Sequence, residues 1–334
     1  MSTTTLATTE LEAAISRALV ACKTSPANAA SVARALVQAE VDGQKGHGLS
    51  RVPSYCAQAK SGKVDGHATP VVRQTRPGAL MIDVGHGFAY PAFDVAIEKL
   101  PALARAQGLA AAGFVRSHHF GVVGRHVERL ADQGFVALAF GNTPHAMASH
   151  GGKRPVFGTN PIGFAAPQRG ALPVVVDLAL SEVARGKIQM AAQKGEAIPL
   201  GWAVDGEGKA TTDAKAALKG ALLPIGGPKG SALALMVEVL AVALTGANLA
   251  AEATSFFDGN GRPPGVGQFL IVIDPDAFAG RDVFLDRFAA LAEMIAADAG
   301  ARLPGTRRIQ LRAAAGRDGI AVDVKLLAEV TALG

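Results

Sequence analysis

Five apolar runs, set apart by stretches with helical spacing, constrain this chain more than any other feature in it. From about residue 78 they are "ALMIDV", "LAAAGFVR", "FVALAFGN", "LPVVVDLAL" and, in the tail, "FLIVIDP". "AFDVAIEKLPALARAQG" and "VVGRHVERLADQG" between them read as helices, the first interrupted at Pro101 because proline cannot continue the hydrogen-bond ladder. Runs such as "FVALAFGN" and "LPVVVDLAL" leave no face for water, so the sheet is expected to be covered on both sides. With 334 residues the chain can build two packed lobes, since domains usually hold roughly 100–200 residues.

The N-terminal part reads as helical. In "TSPANAASVARALVQAEVDG", Ser25 suits the cap and Pro26 the first turn, and Val32, Leu36 and Val37 recur at helical spacing. That helix is expected to end near Gly43, with His47 in the loop beyond. The tail adds the helix "RDVFLDRFAALAEMIAADAG" and a last helix after Val322. "GSALALMVEVLAVALTG", Gly230 to Gly246, is too short to span a bilayer, is broken by Glu238, and reads as a buried core helix. The start, "MSTTTLATTELEAAISRAL", lacks the basic-then-apolar pattern of a signal peptide, so a cytoplasmic protein is expected, with no membrane association. Charged residues make up only 18%, which suggests that a partner subunit covers much of the surface. The net charge of +5 is spread without a basic block, which disfavours nucleic acid and favours an anionic substrate or cofactor. Cys22 and Cys56 make neither a disulfide framework nor a metal pair.

Neither standard nucleotide loop is present: "GHGFAY" is not GxGxxG, and "GGPKGS" lacks the P-loop order. Instead, short glycine-rich polar stretches follow the strands: "SHHFGVVGRH", "FGTNPIGFAAP", "DLALSEVARGK" and "GGPKGS". Each has a plain structural reading. His118, His119, His126, His145 and His150 lack Cys or carboxylate companions at ligand spacing, so no metal site is assigned. Thr159-Asn160-Pro161 could be only a turn, Lys229 a solvated helix start, and "RLPGTRR" (Arg302 to Arg308) a solvated loop. His47, in "VDGQKGHGLSRVPSY", could be a surface histidine.

Taken together and in order, "GHGLSRVPSY", "SHHFGVVGRH", "FGTNPIGFAAP", "VVVDLALSEVARGK", "PKGSALALMVEVL" and "RLPGTRR" resemble the malate/L-lactate dehydrogenase family, which is unrelated to the Rossmann dehydrogenases. The resemblance spans nearly the whole chain and is greatest to the delta-1-pyrroline-2-carboxylate and delta-1-piperideine-2-carboxylate reductases. It implies an α/β, L-sulfolactate dehydrogenase-like fold: a mixed-sheet nicotinamide-binding and substrate domain over residues 76–267, and a helical dimerisation domain from 1–75 and 268–334, in a homodimer. The implied activity is reduction of these cyclic imines to L-proline and L-pipecolate with NADPH, NADH being possible. It makes His47 the proton donor, with Arg51, Thr159, Arg185 and Gly186 on the substrate. The cofactor would lie against His119, Phe120, Gly121, Val122 and Val123, Asp177, Leu178 and Ala179, and Lys229 and Gly230. Arg302, Leu303, Pro304, Gly305, Thr306, Arg307 and Arg308 would reach it from the tail.

These roles fit the residue types. A guanidinium grips a carboxylate with two hydrogen bonds, and an imidazole titrates near neutrality, so the pair can anchor a small acid and supply a proton beside it. Imine reductases of the family carry Ser before the donor His and Asp after the Arg-Gly pair; here these positions are Gly46 and Lys187. Lys187 is shared in type with the members acting on oxo acids, so a 2-hydroxy-acid dehydrogenase is the alternative reading. A non-catalytic metabolite-binding homologue is a second alternative, from another class.

Overall fold

A computed structural model describes residues 2–334. The chain begins with β1 (Thr3–Leu6), α1 (Thr8–Ala21) and α2 (Pro26–Val41), two short 3-10 turns at Lys45–His47 and Leu49–Arg51, and α3 (Val52–Ser61). Ser25 caps α2 by accepting the Asn28 N–H at 3.3 Å, with Pro26 in the first turn as expected. Val32 and Leu36 of α2 are fully buried, a contribution of roughly 1.5–3 kcal/mol each.

The middle of the chain contributes β2 (Val71–Arg76), β3 (Ala79–Asp83), α4 (Ala89–Gln107), β4 (Leu109–Ser117), α5 (Val123–Ala131), β5 (Val136–Gly141), β6 (Met147–Ala148), β7 (Pro155–Phe157), β8 (Ile162–Gln168) and β9 (Ala171–Leu178). Then come α6 (Arg185–Lys194), β10 (Ala203–Val204), α7 (Ala214–Lys219), β11 (Ala221–Leu222) and α8 (Pro228–Glu238), which runs on as a π-helical segment over Val239–Ala243. The tail holds β12 (Val266–Ile273), α9 (Arg281–Ala296), α10 (Thr306–Asp318), β13 (Ile320–Asp323) and α11 (Val324–Thr331).

The main sheet has seven strands in the order β2-β3-β4-β12-β5-β8-β9. Only β3 and β4 pair in parallel; the other neighbours are antiparallel, so the sheet is mixed. Helices α4 and α5 cover one face, where Phe93 stacks on Phe114 at 4.3 Å within a core that includes Val127, Leu130 and Leu270. The apolar side of α8 and its π-helical extension packs with Phe140 of β5 on a separate core. Both chain ends meet in the helical lobe, where β1 pairs antiparallel with β13 and Leu11, Leu19, Leu36, Tyr55, Ile320 and Val330 share one core. The expected division at residue 268 falls inside β12, and that strand lies at the centre of the sheet, between β4 and β5.

Four local expectations are corrected. Helix α4 is not interrupted at Pro101: the residue is buried, and the packing of Phe93, Ile97, Leu100 and Ala104 on the sheet outweighs one missing N–H. "LPVVVDLAL" is not fully buried, because β9 is an edge strand and Leu172 and Leu178 face solvent. The segment Gly230–Gly246 is not a core helix. Its Leu233, Leu235, Met236, Val239 and Leu244 are exposed, whereas Glu238 points inward to accept the Asn160 Nδ2–H at 3.1 Å. Finally, the stretch Arg302–Arg308 is a loop only as far as Gly305; from Thr306 it is the first turn of α10, a helix too polar to show in the apolar pattern.

Candidate active site

The chain leaves α2 at Asp42 and turns through Gly43 (φ +73°), which brings His47 to the end of the first 3-10 turn. Glu40 holds that turn, its Oε1 accepting the Leu49 N–H at 2.7 Å. A Cβ at Gly48 would run into this carboxylate, so glycine is required there, whereas Gly46 faces open space.

His47 stacks flat on His119, with ring centroids 5.3 Å apart and planes 11° apart, and its Nδ1 is buried without a partner. Burial, and then the charge of Arg51, pull its pKa down to about 4. Arg51 donates from Nε to the Gly46 carbonyl at 2.7 Å, and its guanidinium lies 4.8 Å from the Phe257 ring centre. Its Nη1 is buried and unpartnered. The sequence reading missed the groups behind this pair. Tyr55 of α3 is fully buried, with Oη 2.5 Å from His119 Nδ1 and 3.1 Å from Tyr90 Oη of α4. Burial pushes the Tyr55 phenol up to about 12. His118 Nε2 bonds Gln58 Oε1 at 2.9 Å, and burial, with Lys63 and Arg51, lowers its pKa to about 3. A signal for Tyr55 existed: it lies one helical turn after Arg51 in a chain with only two tyrosines.

His119 to Val123 form the turn from β4 into α5. Gly121 (φ +69°) passes so close to the Tyr90 hydroxyl that a side chain there would displace it. The Gly124 N–H, in the first turn of α5, donates to Asp177 Oδ2 at 2.9 Å, which ties this turn to the end of β9. Burial raises the Asp177 pKa. Asp177 and Leu178 share a cavity of about 570 Å³ with Arg302–Arg308 and with Asp42, Gly43 and Gln44, the last directly preceding the His47 turn. In its wall, Arg308 is 8% exposed, with Nη2 3.4 Å from Glu128 Oε1 and Nε unpartnered. Cationic donors held without full pairing beside a cavity of this size suit the phosphates of a dinucleotide.

Other expected residues stand elsewhere. The Thr159 N–H donates to Thr143 Oγ1 at 2.9 Å and its carbonyl accepts from Leu180, next to Ala179. Arg185, followed by exposed Gly186, lines a separate cavity of about 350 Å³ with His145, Lys153, Arg154 and Lys219. Lys229 is exposed in the first turn of α8 and is not on the wall of the Asp177 cavity, while Gly230 is buried against the Ile225 carbonyl. Among the described residues, no three His, Cys, Asp or Glu side chains converge as a metal site would require, and no helix is long and apolar enough to cross a membrane.

Residues 6–331 match the family described as malate/L-lactate dehydrogenase. The chain belongs to that family. Among its relatives, the (2R)-3-sulfolactate dehydrogenase (NADP(+)) of Chromohalobacter salexigens is 50% identical over 84% of this chain and 83% of its own length. A delta(1)-pyrroline-2-carboxylate/delta(1)-piperideine-2-carboxylate reductase of Pseudomonas putida is 44% identical over 89% of this chain and 87% of its own. The solved structure of delta1-piperideine-2-carboxylate reductase from Pseudomonas syringae superposes with a TM-score of 0.94 at 40% identity, covering 99% of this chain and all of that one. The mixed-sheet α/β architecture is therefore the family's own fold, distinct from a doubly wound parallel sheet.

Proposed function

We propose that the chain reduces the C=N bond of delta-1-piperideine-2-carboxylate and delta-1-pyrroline-2-carboxylate, giving L-pipecolate and L-proline, with NADPH preferred over NADH. The observation that carries this reading is the pairing of a neutral His47 with an Arg51 whose Nη1 is buried and unpartnered. In this reading Arg51 takes the carboxylate and so holds the adjacent unsaturated carbon near His47. A cyclic imine is basic enough to arrive protonated, so its nitrogen needs little from an acid; a neutral His47 can accept its N–H and orient it. A ketone brings no such proton and would demand an imidazolium, which burial and Arg51 disfavour.

When bound, the nicotinamide supplies the hydride. The chain would hold it along His119–Val123 and the Asp177 cavity, where Arg302, Arg307 and Arg308 outnumber the carboxylates of Asp42 and Asp177 and favour a cofactor with an extra phosphate. The C. salexigens relative is named for NADP(+), which supports the same choice. A homodimer is part of the proposal: the exposed Leu233, Leu235, Met236, Val239 and Leu244 form an apolar surface of the kind that subunits cover. A solution mass of one chain at micromolar concentration would remove that part.

A second reading has its own support. The Arg185 cavity collects His145, Lys153, Arg154 and Lys219 with no carboxylate among its lining residues, and Lys187 stands nearby in sequence. Such a cluster would suit an anionic group, and the relative at 50% identity is named for sulfolactate. A panel of both cyclic imines, pyruvate, oxaloacetate and 3-sulfopyruvate, followed by loss of NADPH or NADH absorbance, separates the two. Higher kcat/KM with an oxo acid than with either imine would replace the first reading by the second.

A further inference from the structure

We propose that Tyr55 and Tyr90 are positioning residues that fix His119 as the neutral Nε2–H tautomer and, through its stacked ring, set the plane of His47. This rests on the role given above to His47, and it answers what stands in for the missing Ser at Gly46.

The chain has only two tyrosines, far apart in sequence, and the fold joins them hydroxyl to hydroxyl behind the site. Tyr55 is 0% and Tyr90 3% exposed. A buried hydroxyl costs about 1–3 kcal/mol when unpaired, so phenylalanine would pack as well with less risk unless the hydroxyls had work to do. Their geometry shows what that work is. Tyr55 Oη lies between Tyr90 Oη and His119 Nδ1. An imidazole nitrogen accepts far better than a phenol oxygen, so Tyr55 donates to Nδ1 at 2.5 Å and its own oxygen accepts from Tyr90. With Nδ1 accepting, the single proton of a neutral His119 must sit on Nε2, the ring nitrogen without a protein hydrogen bond. Burial above all, and then the charge of Arg51, oppose a positive charge on this ring.

The ring itself is gripped from three sides. Tyr55 meets it edge-on at 6.2 Å, Phe256 lies 5.3 Å away at a tilt, and His47 stacks parallel on it. His47 has no partner at Nδ1 and no side chain before it at Gly46. The flat face of His119 is therefore the surface that sets the His47 plane, and the tyrosine pair keeps that face from rotating. Gly121, which admits the Tyr90 hydroxyl, completes the support.

The test combines histidine tautomer spectra with kinetics. Long-range 1H–15N spectra of 15N-histidine-labelled protein are recorded for the wild type, Tyr55→Phe and Tyr90→Phe, with His119 signals assigned by their loss in His119→Asn. The wild type should show His119 as Nε2–H alone. Tyr55→Phe should give a mixture with the Nδ1–H form and a kcat lower by roughly 10- to 100-fold, with KM changed less than about threefold, because orientation and not affinity is lost. Tyr90→Phe should keep the tautomer and lower kcat less. A wild-type Nδ1–H signal overturns the proposal, as does a Tyr55→Phe kcat within about twofold of wild type, or a fall in kcat with the tautomer unchanged. If Tyr55→Phe does not fold, the wild-type and Tyr90→Phe spectra decide. These spectra need no substrate, so they stand even if every compound in the panel fails and the functional reading falls.

Discussion

At Gly46 and Gly48 one residue type serves two unlike ends. Gly48 is forced, since any Cβ meets the Glu40 carboxylate that holds the His47 turn; Gly46 is free, with nothing near the position a Cβ would take. Gly48→Ala should therefore lower stability by about 1–3 kcal/mol, the usual result of overpacking, with urea unfolding as the measure. Gly46→Ser should leave the unfolding midpoint almost unchanged, and it supplies a hydroxyl directly before His47. If cyclic imines are the substrates, it should raise kcat for them; a fall in imine turnover without a change in stability would count against that assignment. Arg51→Lys keeps the charge but loses the planar fork, so KM should rise for any carboxylate substrate with kcat less affected. An unchanged KM would remove Arg51 as the anchor.

At the scale of elements, α10 is the piece that ties the site together. From it, Arg312 donates Nε and Nη2 to Asp42 at 2.6 and 2.9 Å, and Nη1 and Nη2 to Glu128 of α5 at 2.7 Å each. Both carboxylates are almost wholly buried, at 1% and 2% side-chain exposure. Arg312→Met leaves Asp42 with the Gln38 amide alone and Glu128 with Arg125 and Arg308, so it should cost about 2–4 kcal/mol, read from urea unfolding, and should also raise the cofactor KM because Asp42 lines that cavity. A loss below about 1 kcal/mol would mean that the network is incidental. None of this was legible beforehand. The strands and α2 announced themselves through apolar spacing and a Ser-Pro start, and the ordered motifs carried His47, Arg51 and the Asp177 cavity. Helix α10 is mostly polar, so periodicity passed over it, and "RLPGTRR" read as a loop because its helical half is tied by an ion pair from Arg308 to Glu128, far away in sequence. The same blindness hid Tyr55 and Tyr90, whose meaning lies in a hydrogen bond between separate helices, and it placed Glu238 and its neighbouring leucines the wrong way round.

For the molecule as a whole, buried histidines set the acid limit. Burial holds His118 down to about 3 and His126 to about 4, against 6.5 in the unfolded chain. Both stay neutral in the folded protein at pH 5 while the unfolded chain takes up protons, so stability is full above about pH 6.5 and is lost progressively below it. Each should cost on the order of 2 kcal/mol by pH 5. Glu128 adds to this at lower pH: burial alone would raise its pKa, but Arg312 and Arg308 more than offset that and leave it lowered, so its contribution is present above about pH 4.5 and fades as pH falls. A thermal midpoint that stayed flat between pH 7 and 5 would show that these histidines are hydrated in solution. The place of β12 matters on another axis, that of synthesis. Strands β4 and β5 have no neighbour on their facing edges until residues 266–273 slot between them. A ribosome that has delivered four-fifths of this chain has delivered two half-sheets with open apolar edges, and closing them needs contacts between partners more than a hundred residues apart, such as Phe269 and Gly113. The growing chain is thus exposed to wrong pairing for about half of its translation, and any truncation before β12 should yield aggregate in place of a smaller folded unit.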